Sequence, residues 1–130
     1  MGKVVVDRVL IKNDLKGEKM KKIIAYIRHN KAEIVIQKLE AAGVTGMTVL
    51  DANALAEWAD SEAFSFSIKY VQKYSSVVKI ELICNKEKVD ELVNVISKYA
   101  HTGQSGDGWI FVSDIVKSVR IKTGDINSIK

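Results

Sequence analysis

The chain has 130 residues, 47% of them hydrophobic and 28% charged, the proportions of one globular domain large enough to bury a core of its own. Proline is absent and Cys84 is the single cysteine, which excludes an internal disulfide framework and any cysteine-rich zinc site. The net charge of +4 admits nucleotide, nucleic-acid or acidic-surface partners without selecting one, and no window reaches the roughly 20 apolar residues of a membrane-spanning helix.

In chain order, residues 1–19 come first. The start, "MGKVVVDRVLIKND", carries Lys3, Asp7 and Arg8, too much charge for the apolar heart of a signal peptide. A cytoplasmic protein with no membrane insertion is therefore expected. "VVVDRVLI" offers an extra edge strand and "KNDLKGEK" a solvated connector. "KKIIAYIR" (residues 21–28) is a β-branched run suited to a strand. "NKAEIVIQKLEAAG" sets Val35, Leu39 and Ala42 at helical spacing, with Gly43 at the expected C-cap. "GMTVLDA" reads as a second strand.

The stretch "NALAEWADSEAFSFSIKYVQKYSS" has neither a helical stripe nor sustained alternation. A connection of that length is usually functional; a short helix over "ALAEWADSEAF" is the bland alternative. "VVKIELIC" then alternates Val78, Ile80, Leu82 and Cys84 against Val77, Lys79, Glu81 and Ile83, a strand in which Cys84 is expected to act as a small buried hydrophobe. "NKEKVDELVNVISKYAH" places Val89, Leu92, Val93 and Ile96 on one helical face. "TGQSGDGWIFV" packs three of the eight glycines of the chain into six residues before an apolar run. Such glycines serve either an ordinary helix-to-strand loop or an anion-binding concavity of exposed amides. A short "KSVRIK" closes the pattern.

Strand, helix, strand, strand, helix, strand is the ferredoxin-like α+β order, βαββαβ, with both helices on one face of an antiparallel sheet. The fold hosts many functions, so the site must decide. RNA recognition needs aromatics on the central strands, and Tyr26 stands alone there, so no nucleic-acid partner is expected. His29 and His101 lack acidic or thiol companions at ligand spacing, so no metal site is expected. Ser105 lies near His101, but nothing marks an oxyanion hole and no catalytic residue is assigned.

"HTGQSGDGWIFV" followed eight residues later by "RIKTG" closely resembles the C-terminal signature of the PII signal-transduction family. The residues "KKIIAYIRHNKAEIVIQKLEAAGVTGMTV" are similar to the opening of that family, and "VKIELIC" to its third strand. The likeness runs from Met20 to about Asp125 without a gap, which makes residues 1–19 an extension of a domain over 20–130. It implies a homotrimer that binds an adenine nucleotide (AMP, ADP or ATP) in clefts between neighbours. It also implies an extended effector loop, residues 52–70, that reaches a protein target such as a membrane transporter, channel or enzyme. On the family pattern, amides of Gly106, Asp107 and Gly108 meet phosphate oxygens and Arg120 and Lys122 neutralise them. Met47, Thr48, Glu81 and Ile83 line the base and ribose pocket. Independently, the Arg–Ile–Lys alternation sets Arg120 and Lys122 on one face of a strand, as a polyanion site requires.

The chain departs from the pattern at four places. Trp109 stands where a lysine follows Gly-Asp-Gly in the family. Ala54, Leu55, Ala56, Glu57 and Trp58 replace a Gly-x-Gly-Arg-Gln stretch whose arginine reaches distal phosphates and whose glutamine holds the magnesium that binds 2-oxoglutarate. Val77 replaces a lysine that pairs with the 2-oxoglutarate carboxylate. Tyr70 occupies the place of a modifiable tyrosine in altered surroundings, so modification is not expected. The resulting expectation is a non-enzymatic regulator that responds to adenine nucleotide without 2-oxoglutarate. Alternatives are a slow nucleotide hydrolase in the same cleft, or a sensor of bicarbonate or of a cyclic nucleotide.

Overall fold

The computed structural model describes residues 19–54 and 75–127. The edge strand expected within residues 1–19, and Glu57, Trp58 and Tyr70, lie outside those residues. The first strand, β1 (Met20–Arg28), alternates so that Ile23, Ala25 and Ile27 are buried while its other side chains are half-buried. A 3-10 turn, His29–Lys31, leads into helix α1 (Ala32–Ala41), which buries Val35 and Leu39 as its spacing requires. Gly43, at φ +99°, ends the helix. Its amide donates to the Glu40 carbonyl at 3.0 Å and that of Val44 to Leu39 at 3.0 Å, the paired bonds of a Schellman cap.

Strand β2 (Thr48–Ala54) pairs with β3 (Ser75–Asn85) from Thr48↔Glu81 to Ala54↔Ser75. The second strand thus runs further than the expected "GMTVLDA": Asn53 and Ala54 also belong to the sheet, because β3 begins early enough to give each of them a partner, and residues 52–54 of the expected effector loop are strand. A second 3-10 turn, Lys86–Lys88, starts helix α2 (Val89–Ala100), which buries Leu92, Ile96 and Ala100. The last strand, β4 (Gly108–Asp114), returns antiparallel to β1. The sheet order is β2-β3-β1-β4, all neighbours antiparallel.

Both helices cover one face. Ile23, Ala25, Ile27, Val78, Ile80 and Leu82 from the strands meet Val35, Leu39, Leu92, Ile96 and Ala100 from the helices in one core. Each fully buried aliphatic side chain contributes about 1.5–3 kcal/mol, so the alternation of β1 and β3 fixes which face the helices take. The opposite face keeps Ile24, Tyr26, Leu50, Lys79, Glu81, Ile83, Trp109 and Phe111, several of them half-exposed. There Trp109 and Phe111 stack with ring centroids 6.1 Å apart, and Tyr26 meets Phe111 edge-on at 6.3 Å.

The expected strand at "KSVRIK" is instead a tight reversal. Only an isolated bridge, Val119↔Ile126, is strand-like. The Gly124 amide donates to the Arg120 carbonyl at 2.7 Å and the Arg120 amide to the Asp125 carbonyl at 2.8 Å, closing the chain on itself. The sequence "KTGD" supplies the reason: Gly124 adopts φ +77° and the Thr123 hydroxyl accepts from the Asp125 amide at 3.2 Å, local bonds that compete with a strand ladder.

Gly108 opens β4 at φ +102°, and a Cβ there would lie 1.7 Å from the Tyr26 carbonyl oxygen. Gly108→Ala is expected to cost several kcal/mol and to detach the start of β4 from β1. Urea unfolding checks this, and a loss below about 0.5 kcal/mol contradicts it.

Candidate functional site

Two hollows carry most of the residues singled out above. The first, about 530 Å³, lies where the C-terminus of α1 and the loop 43–47 meet the paired starts of β2 and ends of β3. Met47, Thr48, Glu81 and Ile83 all line it, together with Gly43, Thr45, Gly46, Cys84, Asn85 and Lys88. The Schellman cap turns the chain out of α1 into this loop, and the β2–β3 register sets Thr48 directly opposite Glu81. The four residues expected to share a pocket are therefore neighbours. Asn85 and Lys88 were not anticipated there; their signal is only that they follow the strand carrying Glu81. Cys84 is half-buried, not fully buried as expected, because the hollow opens beside it. Partial burial still raises its thiol pKa.

The Glu81 carboxylate is held by lysines on the helix-free side. Lys79 Nζ lies 2.8 Å from Glu81 Oε1 and Lys22 Nζ 3.9 Å from it. The hydrogen bond from Lys79 lowers the Glu81 pKa, against partial desolvation and with help from Lys22; the Lys79 pKa rises in turn, chiefly through the same bond. Both groups stay charged at neutral pH, and Lys79 also sits 5.9 Å from the centre of the Tyr26 ring.

The second hollow, about 300 Å³, lies at the other end of the strand order, between the end of α2 and the start of β4. Tyr26, Ile96, His101, Asp107, Gly108 and Trp109 are among its lining residues. Here the glycine-rich segment forms a closed turn around one carboxylate. Asp107 Oδ2 accepts from the amides of Thr102 at 2.8 Å and Gly103 at 2.9 Å. Oδ1 accepts from the Thr102 hydroxyl and from Arg28 Nε at 3.0 Å. The Arg28 guanidinium also donates to the Ser105 carbonyl at 2.5 Å, and the Thr102 hydroxyl accepts from the Gln104 amide at 3.1 Å. Partial burial works against the Asp107 charge, but the Thr102 hydroxyl and amide, Arg28 and the Gly103 amide outweigh it and hold its pKa far below the usual carboxylate range. The carboxylate of Asp107 thus organises its own turn. Gly103 and Gly106 take φ +86° and +97° within that turn.

Gly106 adjoins this hollow through Asp107, whereas Arg120 and Lys122 line neither hollow and sit in the closing reversal, exposed. Their being together on a strand face is not what the chain does. Val77 is buried with Ala54, against Ala52 and Tyr26, so the position at the base of the β2–β3 connection is apolar. Among the described residues, no group of three His, Cys, Asp or Glu side chains is placed to hold a metal ion, and no helix is long and apolar enough to cross a membrane.

The family model for nitrogen regulatory protein P-II matches residues 20–125. The chain is 35% identical over 108 residues to the nitrogen regulatory protein P-II of Pasteurella multocida, covering 83% of this chain and 96% of that protein. It is 41% identical over 110 residues to the nitrogen regulatory protein P-II 2 of Methanothermobacter thermautotrophicus, covering 82% and 92%. A crystal structure of Arabidopsis thaliana PII bound to citrate superposes with a TM-score of 0.66 at 28% identity, over 84% of this chain and 86% of that one.

A carboxylate whose pKa is lowered on folding stabilises the fold above its unfolded pKa and loses that contribution as pH falls towards the folded value. Asp107 is therefore expected to make stability decline below its ordinary value of 3.8. Chemical unfolding at a series of pH values checks this: Asp107→Asn should lower stability at pH 7 and flatten the decline on the acid side. An unchanged acid slope contradicts the role.

Proposed function

The chain belongs to the nitrogen regulatory protein P-II family, and on that premise we propose that it is a regulator that responds to adenine nucleotide bound between its copies. One observation carries the reading. Met47, Thr48, Glu81 and Ile83 gather at the β2–β3 side of the sheet, while the Asp107 turn lies beside β4. The two halves do not meet within one chain, so a second copy completes the site. In this reading the first hollow takes base and ribose. The turn at 102–108 of the neighbouring copy takes the phosphates, and Arg120 and Lys122 are the cations that neutralise them.

The helix-free face supports self-association. Leu50, Ile83, Trp109 and Phe111 stand there 37–51% exposed, apolar side chains that association would take out of water. A second and third copy cover it in the proposed cytoplasmic homotrimer. Residues 52–70 are then the effector loop that meets a protein target; a membrane transporter or an enzyme fits the role.

Ligand choice follows from the charges. Trp109 supplies an aromatic surface, not a cation, beside the turn, and hydrogen bonds to charged groups are worth about 1.5–3 kcal/mol each. With Val77 buried among apolar groups, that position supplies no cation for a 2-oxoglutarate carboxylate. No catalytic group is assigned, and the protein acts by binding.

Calorimetric titration with AMP, ADP and magnesium ATP tests this. AMP or ADP is expected to bind at least as tightly as ATP, and Arg120→Ala to remove most nucleotide affinity. Addition of 2-oxoglutarate with magnesium should leave ATP affinity unchanged. A tenfold tightening by 2-oxoglutarate, or repeated release of phosphate from ATP, contradicts the reading.

A further inference from the structure

Arg28 is the last residue of β1 and lies 79 positions from Asp107, yet its side chain, only 18% exposed, reaches across to the glycine-rich turn. It grips that turn at two points, the Asp107 carboxylate and the Ser105 carbonyl. Resting on the nucleotide reading above, we propose that Arg28 is a positioning residue for the phosphate end of the site: it holds the turn in shape and neutralises Asp107 without touching the ligand.

Two physical arguments carry this. The first is shape. The amides of Thr102, Gly103 and Gln104 are all drawn inward, to Asp107 or to the Thr102 hydroxyl that Asp107 itself holds. The Gly106 amide, next to Asp107, belongs to a residue held at φ +97° in the same turn. The direction of that amide depends on the carboxylate staying where it is, and Arg28 Nε is the cationic donor that fixes it at 3.0 Å. A planar guanidinium presents its donors in a fixed fork, so carboxylate and Ser105 carbonyl are located relative to each other and to the end of β1. The second argument is charge. A bare carboxylate inside a phosphate-binding turn repels the ligand, by several-fold in affinity even at surface-like screening. His101 Nδ1, 3.7 Å from Asp107 and largely exposed, counters that charge only when protonated. Arg28 counters it at every pH.

The two roles separate by substitution. Arg28→Gln removes the charge and one arm of the fork, whereas Arg28→Lys keeps the charge and loses the planar geometry. The test uses the full chain and ADP as probe, with amide exchange followed by NMR. Wild type is expected to bind ADP; if it does not, the nucleotide reading fails and this proposal with it. Arg28→Gln is expected to weaken ADP at least tenfold and to speed exchange at Thr102 and Gly103, while amides in α1 and β3 stay protected. Arg28→Lys should recover part of the affinity, and it stands in for Arg28→Gln should that variant not fold. ADP affinity within twofold of wild type in both variants overturns the proposal. So does a loss of binding accompanied by a general loss of protection across α1 and β3, which marks Arg28 as a part of the fold alone.

Discussion

Strand β1 is hydrogen-bonded on both sides, to β3 along Met20↔Asn85 through Arg28↔Val77 and to β4 along Lys21↔Asp114 through Ile27↔Gly108. That double pairing fixes the order β2-β3-β1-β4 and pushes the two conspicuous loops of the chain apart. The loop before β2 sits at one side of the sheet and the turn before β4 at the other. In the proposed site, a ligand that needs both finds them on different copies. The pairing depends at its far end on Gly108, whose missing Cβ lets the β4 backbone lie against the Tyr26 carbonyl. A glycine that resembles a ligand-approach residue is here first a condition for closing the sheet.

The electrostatics follow the same geometry. Each hollow carries one carboxylate already answered by cations of its own chain: Glu81 by Lys79 and Lys22, Asp107 by Arg28. Anionic groups can then approach without meeting bare negative charge. Arg28 also lies on the ladder rung that runs through Val77 to Ala52, so the turn before β4 and the base of the β2–β3 connection are tied to adjacent strands.

Much of this was legible in the residues, for particular reasons. Ile23, Ala25 and Ile27, Val78, Ile80 and Leu82, and Leu92 and Ile96 announce their elements because burial on one face imposes a period of 2 or 3.6. The pocket set Met47, Thr48, Glu81 and Ile83 came from family likeness, and their adjacency follows from the β2–β3 register. The reversal at Arg120–Lys122 was missed because an Arg–Ile–Lys alternation and a turn held by Thr123 and Gly124 look alike until the local hydrogen bonds are known. Arg28 was missed for a different reason. Its partner is 79 residues away, and no local spacing rule connects a strand end with a distant loop carboxylate.

The central claim is that one nucleotide site is built from two copies of the chain. The most direct measurement combines two defective proteins, Met47→Arg, which fills the first hollow, and Asp107→Ala, which dismantles the turn before β4. Each alone should bind no ADP in a calorimeter. Unfolded together and refolded as a mixture, they should regain binding at a fraction of the sites, because some clefts then pair an intact first hollow with an intact turn before β4 from the neighbouring copy. A mixture that binds no better than either variant alone would contradict the account.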